Sequence, residues 1–470
     1  MKITLKNIGI VENSTIELNG LTVIVGRNNS GKTTVGKTLY SVVESVSNIE
    51  ERIRNDSIQV SLEKLQETKK LFGMSFRSIL RYQASFKNEF LKNYFSMGIG
   101  HVVINTHINE FIGETVNALE NFDAFDERQS NLKQLAFEIH DLKRYLETSF
   151  DADRKTVCDV LKKLLVDLRS LDMRTYMLTA VGTKLAVEFF GQIQPAANPD
   201  VESEIEISAE GNPCCRLFIS KNKVLQEKKT FLEKLPYDNA LFLDNAYAFD
   251  EPPYGTQHRY IEDESTIFNE NRVLTHANDT KFYLGSMLRR NNLEKTLNEA
   301  KYRAIKEKIN EIVPGSFDIA DNEHYYVNRG VRLKAGNLAT GSKFFAILKT
   351  FLESGMITEN TLLVLDEPEA HLHPEWQNIF VALVALLVKD VGCHVLLTTH
   401  SPNFMMAVDA CMRKYKITGK TNFYKASFNE NGLVRYDCVN EDLDVIYQDF
   451  VQYLSEMKVV RDSYLNGESV

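Results

Sequence analysis

Two short segments far apart in the chain restrict its fold more than anything else in it. Near the start, the apolar run Leu21-Thr22-Val23-Ile24-Val25 leads into Gly26-Arg27-Asn28-Asn29-Ser30-Gly31-Lys32-Thr33. About 330 residues later, Thr361-Leu362-Leu363-Val364-Leu365 leads into Asp366-Glu367. Both runs are short, continuous and apolar, the pattern of strands buried on both faces of a parallel sheet. The first ends in glycines that let backbone N–H groups turn inward on a polyphosphate, and the second delivers two carboxylates. A chain carrying both is expected to be α/β, with the two strands bringing their ends to one place.

The residue types after Val25 suit a phosphate cradle. Gly26, Asn28, Asn29, Ser30 and Gly31 supply the loop, Lys32 a point charge for the β- and γ-phosphates, and Thr33 a hydroxyl for Mg²⁺. Thr34 to Val43 carries helical spacing through Val35, Leu39 and Val42, so the positive end of a helix dipole faces the same anion. In this arrangement Asp366 holds the metal, and Glu367 is placed to polarise an attacking water. A third strand, Cys393 to Thr399, ends in His400-Ser401-Pro402, which puts His400 where ligands bind in open α/β sheets. His371, His373 and His394 read as structural.

This order of motifs resembles the ATP-binding-cassette ATPases of the RecF/SMC/OLD branch. The opening supports that branch, with Ile3-Thr4-Leu5-Lys6-Asn7-Ile8-Gly9 and Ser14-Thr15-Ile16-Glu17-Leu18 matching its two first strands. The resemblance implies an ABC-type ATPase head, a mixed sheet with flanking helices, that binds ATP and Mg²⁺. It implies a Walker A set of Lys32 and Thr33, a Walker B pair of Asp366 and Glu367, and a switch histidine, His400. The family's signature corresponds to Leu338-Ala339-Thr340-Gly341-Ser342-Lys343, followed by the helical run Phe344 to Leu352. Gly341 and Lys343 fit the pattern, and Ala339 stands where the family has serine, leaving Thr340 or Ser342 to supply the hydroxyl. The plain alternative is a helix start capped by Thr340. Because such signatures act on nucleotide held by a second copy, the resemblance implies a homo-oligomer, at least a dimer of heads. Gln192 and Gln194 are the candidates by position for the family's glutamine loop.

Between cradle and signature lies more chain than a nucleotide head needs. The expected organisation is a first head segment (1–44), a helical insertion (45–185), a part with a β-hairpin and helices (186–330), the second head segment (331–425) and a closing hairpin end and helix (426–470). In the insertion, Val60 to Leu71, Asn131 to Thr148 and Thr156 to Leu168 show helical spacing, without the long heptad array of a coiled-coil arm. Glu204 to Ser208 and Arg216 to Ser220 alternate around Glu210-Gly211-Asn212, a hairpin pattern. Ala240 to Asp244 reads as a further buried strand, structural because Asn245 follows where a catalytic acid would stand. Residues 251–280 are polar and turn-rich and read as a loop, and Leu293 to Ile312 as a helix ended by Pro314-Gly315. Thr421 to Val439 is expected to be a hairpin turning at Asn429 to Gly432, and Leu443 to Val459 an amphipathic helix.

Composition narrows the partners. The net charge of −9 argues against a uniformly basic nucleic-acid surface, while a local DNA groove near Arg289-Arg290 or Lys343 stays open. No stretch of about 20 apolar residues marks a membrane span, so a cytoplasmic location is expected. The six cysteines lack metal-ligand spacing and read as reduced thiols.

In the run Leu365-Asp366-Glu367-Pro368-Glu369-Ala370-His371-Leu372-His373-Pro374-Glu375-Trp376-Gln377, the His371-Leu372-His373-Pro374 that follows Glu367 resembles the OLD-related ATPases of bacterial anti-phage systems, including the Septu and PARIS ATPases. OLD proteins proper carry a Toprim nuclease after the head. About 70 residues follow His400 here, too few for that fold plus the closing strands, and they hold no acidic metal cluster. The resemblance therefore implies an ATPase scaffold whose nuclease or toxic effector is a separate polypeptide. The alternative is a RecF-like repair or chromosome-maintenance ATPase that binds DNA directly.

Overall fold

The computed structural model describes residues 1–47, 173–227, 229–250, 275–287, 302–320 and 323–451, with isolated positions 49, 455 and 458. The three helices expected between Val60 and Leu168 lie outside the described residues. The chain divides into two compact units, Met1–Ser47 with Met177–Val470, and Asn48–Tyr176. The cradle, the signature stretch, the acidic pair and His400 all belong to the first.

The strands of this first unit are β1 (Lys2–Ile8), β2 (Val11–Glu17), β3 (Leu21–Val25), β4 (Ser203–Ala209), β5 (Asn212–Ser220), β6 (Lys223–Val224), β7 (Phe231–Leu232), β8 (Asn239–Leu243), β9 (Ser316–Ala320), β10 (Glu323–Asn328), β11 (Val331–Lys334), β12 (Thr361–Asp366), β13 (His394–Thr399), β14 (Thr421–Phe428) and β15 (Val434–Cys438). The helices are α1 (Lys32–Val46), α2 (Met173–Glu188), α3 (His276–Met287), α4 (Arg303–Ile312), α5 (Thr340–Glu353), α6 (Pro374–Leu386) and α7 (Pro402–Tyr415).

One large sheet organises the unit, in the order β6-β5-β4-β1-β2-β15-β14-β3-β13-β12-β8, with β7 on β5. From β14 to β8 every pairing is parallel, whereas β6, β5, β4, β1 and β2 pair antiparallel. Burial follows that division. All residues of β3 and β12 are buried, while β2 and β4 alternate between buried and wetter positions. Helices on both faces require the first pattern, and one wet face requires the second. The mixed sheet with flanking helices expected of an ATPase head is thus present.

The hairpin expected at 204–220 forms as β4 and β5, and β4 pairs with β1, so the hairpin extends the head's own sheet. The end of the loop expected at 251–280 is different: residues 276–280 open α3, and 251–274 lie outside the described residues. A separate three-stranded antiparallel sheet, β9-β10-β11, precedes α5 and had no clear signal in the sequence. Its exposed positions dilute any period-2 pattern in β11, where all four residues face water.

Helix packing sets the positions of the site. A Cβ on Gly36 of α1 would meet Val364 Cγ1 at 2.9 Å and Phe242 Cε2 at 3.0 Å, so this glycine lets α1 lie close on β12 and β8. Phe344 and Phe345 of α5 pack on Phe380 of α6, which meets Phe404 of α7, joining the signature helix to the core through aromatic contacts. Pro374 and Pro402 each open a helix at a first-turn position, where proline costs no hydrogen bond. Among the described residues, no helix is long and apolar enough to cross a membrane.

Candidate functional site

The parallel half delivers its strand ends to a single edge. β13 lies between β3 and β12, with Thr399 registered against Val25 and Thr398 against Asp366. The residues that follow these strands, Gly26, Glu367 and His400, therefore start their loops side by side. The Gly26 N–H donates to Thr399 O at 3.3 Å, tying the loop to the strand beside it.

The loop is shaped by glycine at two points. A Cβ on Gly26 would stand 2.6 Å from both Ala426 Cβ and Ser30 Oγ, and Gly31 has φ 71°, a left-handed value that glycine adopts without strain. Asn29 also has positive φ, at 65°. Asn28 and Asn29 are exposed and Ser30 is buried. The Ser30 carbonyl accepts from the Tyr436 hydroxyl at 2.8 Å, which ties the loop to β15. The Ser30 hydroxyl oxygen is buried with no hydrogen-bond partner among the described residues. α1 then begins at Lys32 with Gly31 as its cap and no side chain on its first N–H groups. The Thr34 and Val35 N–H groups donate to Gly31 O at 3.0 and 3.4 Å, and a helix start with no side-chain cap ahead of them suits an anion.

Lys32 is buried, and its ammonium donates to Gly26 O at 2.9 Å and Arg27 O at 2.8 Å. It also stands 3.0 Å from Glu367 Oε1. Thr33 Oγ1 donates to Asp366 Oδ2 at 2.6 Å, and Thr398 Oγ1 donates to Asp366 Oδ1 at 2.5 Å. A hydroxyl and a carboxylate brought together in this way are hard oxygen donors of the kind that hold Mg²⁺. Burial pushes the Asp366 carboxyl above its ordinary value; the two hydroxyls oppose that shift, and the charge of Glu367 adds to it. A bound cation would offset this electrostatic cost.

Glu367 has φ 50°, a left-handed conformation that costs a non-glycine residue energy and recurs at functional positions. Partial burial acts to raise its pKa, but the Lys32 ammonium and His400 outweigh it and hold the carboxyl below the usual range. His400 Nδ1 lies 3.1 Å from Glu367 Oε2 and 3.9 Å from Glu369 Oε1. Lys32, Thr33, Asp366, Glu367 and His400 are thus brought into one contiguous group.

The signature stretch stands apart from that group. α5 starts at Thr340 with Ala339 in the cap position, and no side chain caps it among the described residues, so the Thr340 cap expected as the plain alternative does not form. Lys343, placed by sequence among nucleotide contacts, is buried, and its ammonium is paired with Asp250. Thr340 and Ser342 are half-buried and Gly341 is buried. No hydrogen bond or ion pair joins these four residues to the cradle among the described residues. Of the glutamine candidates, Gln192 is exposed, whereas Gln194 is buried and donates to Val201 O while accepting from Asn222 N at 2.6 Å. That clasp makes Gln194 part of a loop.

Three contributors escaped sequence reasoning. Thr398 fixes Asp366 and also receives the Glu367 N–H at 3.1 Å. Glu369 is buried, accepts from Thr399 Oγ1 at 2.5 Å and from the His400 N–H at 3.2 Å, and so sets where His400 begins. Tyr436 comes from β15, more than 400 residues from the loop it supports. Glu369 stood inside the acidic run Glu367-Pro368-Glu369 and could have been singled out there; the other two carry no sequence signal. His394 Nδ1 meets the Tyr237 hydroxyl at 2.6 Å and His373 accepts from Glu375 N at 3.4 Å, so each has a structural partner.

A glycine-shaped phosphate loop and an acidic strand end, on parallel strands of one sheet, define a nucleotide-binding α/β head. Residues 1–405 match the AAA ATPase domain family AAA_15, and the chain belongs to that family. Among solved structures it is similar to the SMC head domain from Thermotoga maritima, at 11% identity and TM-score 0.36, over 93% of this chain and 98% of that one. It is also similar to an SmcHead bound to the C-winged helix domain of ScpA, at 12% identity and TM-score 0.38, over 94% and 98% of the two chains. A third similar structure is the Smc head domain with a coiled coil and joint from Pyrococcus yayanosii, at 12% identity and TM-score 0.32, over 93% and 96%. No curated protein matches the chain.

Proposed function

We propose that this chain binds ATP with Mg²⁺ at the cradle and hydrolyses it, working as paired heads. The observation that carries the reading is the contact series Lys32–Glu367–His400, at 3.0 and 3.1 Å, beside the Thr33–Asp366 pair. Lys32 and the first N–H groups of α1 bind and orient the β- and γ-phosphates. Thr33 and Asp366 would hold Mg²⁺, which when bound neutralises phosphate charge and aligns the terminal group. Glu367, ionised and fixed by a left-handed backbone, orients the attacking water and takes its proton as the new P–O bond forms. The bond to ADP breaks with its electron pair leaving on ADP. His400 touches Glu367 from the next strand and holds it in line.

The uncapped start of α5 supports a two-headed unit. Thr340, Gly341 and Ser342 present N–H groups that no side chain caps among the described residues, the arrangement in which a second head's nucleotide would complete the signature.

Resemblance of the Glu367 to Pro374 run to the anti-phage OLD-like ATPases supports a finer reading, a scaffold whose nucleotide state controls a separately encoded nuclease or toxic effector. The net charge of −9 favours a protein partner over direct DNA clamping. Co-purification from the native operon in ATP and Mg²⁺, with mass spectrometry of what stays bound, tests this. A stoichiometric nuclease-like protein is expected. A homo-oligomer that retains DNA and shows salt-sensitive, DNA-stimulated hydrolysis would instead establish the RecF-like alternative.

A further inference from the structure

The acid that follows β8 takes no part in the chemistry assigned to Lys32, Asp366 and Glu367. Leu243 and Leu365 are partners in parallel register, so Asp244 and Asp366 are neighbours on adjacent strands. Such strands lie about 4.8 Å apart, and registered residues of a parallel pair share a face. That face is the one α1 covers, since Gly36 packs on Phe242 and Val364, two residues before each acid. Both carboxylates are therefore on the side of the sheet where Thr33 stands.

Asp244 is held in place by a chain of buried groups. Its Oδ2 accepts from His276 Nε2 at 3.0 Å, and its Oδ1 accepts from Asn245 Nδ2 at 2.6 Å. His276 Nδ1 meets Glu188 Oε2 at 2.6 Å, and its backbone N–H donates to Glu188 Oε1 at 2.5 Å. A carboxylate on each ring nitrogen makes both nitrogens donors. Burial opposes that charge, but the two acids outweigh it and raise the imidazole to about 9. The side chains of Glu188 and His276 are 0% and 8% exposed, whereas that of Asp244 is 34% exposed. The series thus opens to solvent at its Asp244 end, beside the nucleotide site.

A buried imidazolium between two acids is a costly way to join α2, α3 and β8, because apolar packing would serve stability as well. Charge kept at that cost beside a metal-binding acid points to use. Mg²⁺ keeps several of its waters, so an acid one strand from a ligand works through those waters.

We propose that Asp244 is a second carboxylate of the magnesium–nucleotide site, accepting hydrogen bonds from metal-bound water, and that His276, locked by Glu188, is the positioning residue that aims it. This rests on the Mg²⁺–ATP reading of Thr33 and Asp366. The test is fluorescent ATP binding to the full chain across a Mg²⁺ titration and in EDTA, for wild type, Asp244→Asn and His276→Gln. Asn keeps an oxygen for His276, so the fold should persist, and a melting curve checks it. The expected result is a Mg²⁺ midpoint raised about tenfold in Asp244→Asn, less in His276→Gln, with affinity in EDTA unchanged. An unchanged midpoint in either folded variant, or an equal loss with and without metal, overturns the inference and leaves the cluster a structural pin. If Asp244→Asn does not fold, the midpoint of His276→Gln decides alone. Wild-type binding that ignores Mg²⁺ would overturn the underlying reading as well, so the two failures are told apart.

Discussion

The helices α1 and α5 both begin without a capping side chain among the described residues, and their surroundings are opposite. Around the start of α1 the chain has gathered Lys32, Thr33, Asp366, Glu367 and His400 into one connected group. Around the start of α5, Lys343 is turned inward to Asp250, and Thr340, Gly341 and Ser342 meet none of those five residues among the described residues. One helix start is complete within the molecule. The other has no such group around it among the described residues, and the paired-head proposal assigns that place to a second copy.

The sharpest way to break this contrast is to remove the charge at each helix start. Lys32→Ala should weaken ATP binding by roughly 10- to 100-fold, the loss of a charge-assisted contact worth about 1.5–3 kcal/mol. Lys343→Ala should leave nucleotide affinity of the single chain unchanged and lower the melting temperature, because Asp250 loses its partner. Isothermal titration and a thermal melt on both variants give the answer. Equal effects on affinity would abolish the distinction between the two ends.

Glu367→Gln comes next. Turnover should fall roughly tenfold or more, about 1.4 kcal/mol or more in the barrier, while ATP stays bound. Unimpaired phosphate release would move the water-activating role to another residue. Ser342→Arg sharpens the other side, since a bulky charge at the start of α5 should reduce turnover and ATP-dependent oligomerisation seen by light scattering. Single-chain ATP affinity should stay within about twofold. If affinity falls instead, α5 serves its own chain's nucleotide.

The smallest effect concerns pH. Asp366 has a raised pKa in the folded protein, so the folded state binds more protons than the unfolded one across the interval just above the ordinary aspartate value. Its contribution to stability therefore declines as pH rises through that interval. Glu367, with a lowered pKa, contributes in the opposite sense, stabilising above the ordinary glutamate value and losing that as pH falls through its folded pKa. Asp366→Asn should raise the melting temperature of the nucleotide-free protein at neutral pH and remove the Asp366 part of the slope. A melt series from acid to neutral pH tests both signs.

Much of the site was legible because it is local in sequence. The phosphate loop needs its glycines, lysine and threonine in one run between a buried strand and a helix, and the acidic pair needs to terminate an apolar strand. Such requirements leave a pattern in neighbouring residues. Lys343 shows the limit of that legibility: it matches the signature's spacing, but the short-range pattern carries no information about its pairing with Asp250, 93 residues earlier. The hairpin at 204–220 was legible as a hairpin but not as an extension of β1, because strand partners about 200 residues apart are chosen by complementary faces and register.

By itself, the sequence determined the parallel strands, the loop between β3 and α1, and the order of acids and histidine at the strand ends, since continuous apolar runs and glycine geometry are local properties. Only the tertiary structure decided that Thr398 and Tyr436 brace the site, that Glu369 sets His400, and that Asp244 stands beside Asp366 with His276 and Glu188 behind it. Those contacts join segments that share no sequence neighbourhood. What brings them together is the burial of one sheet between its helices, which pays for holding charged groups where solvent would otherwise separate them.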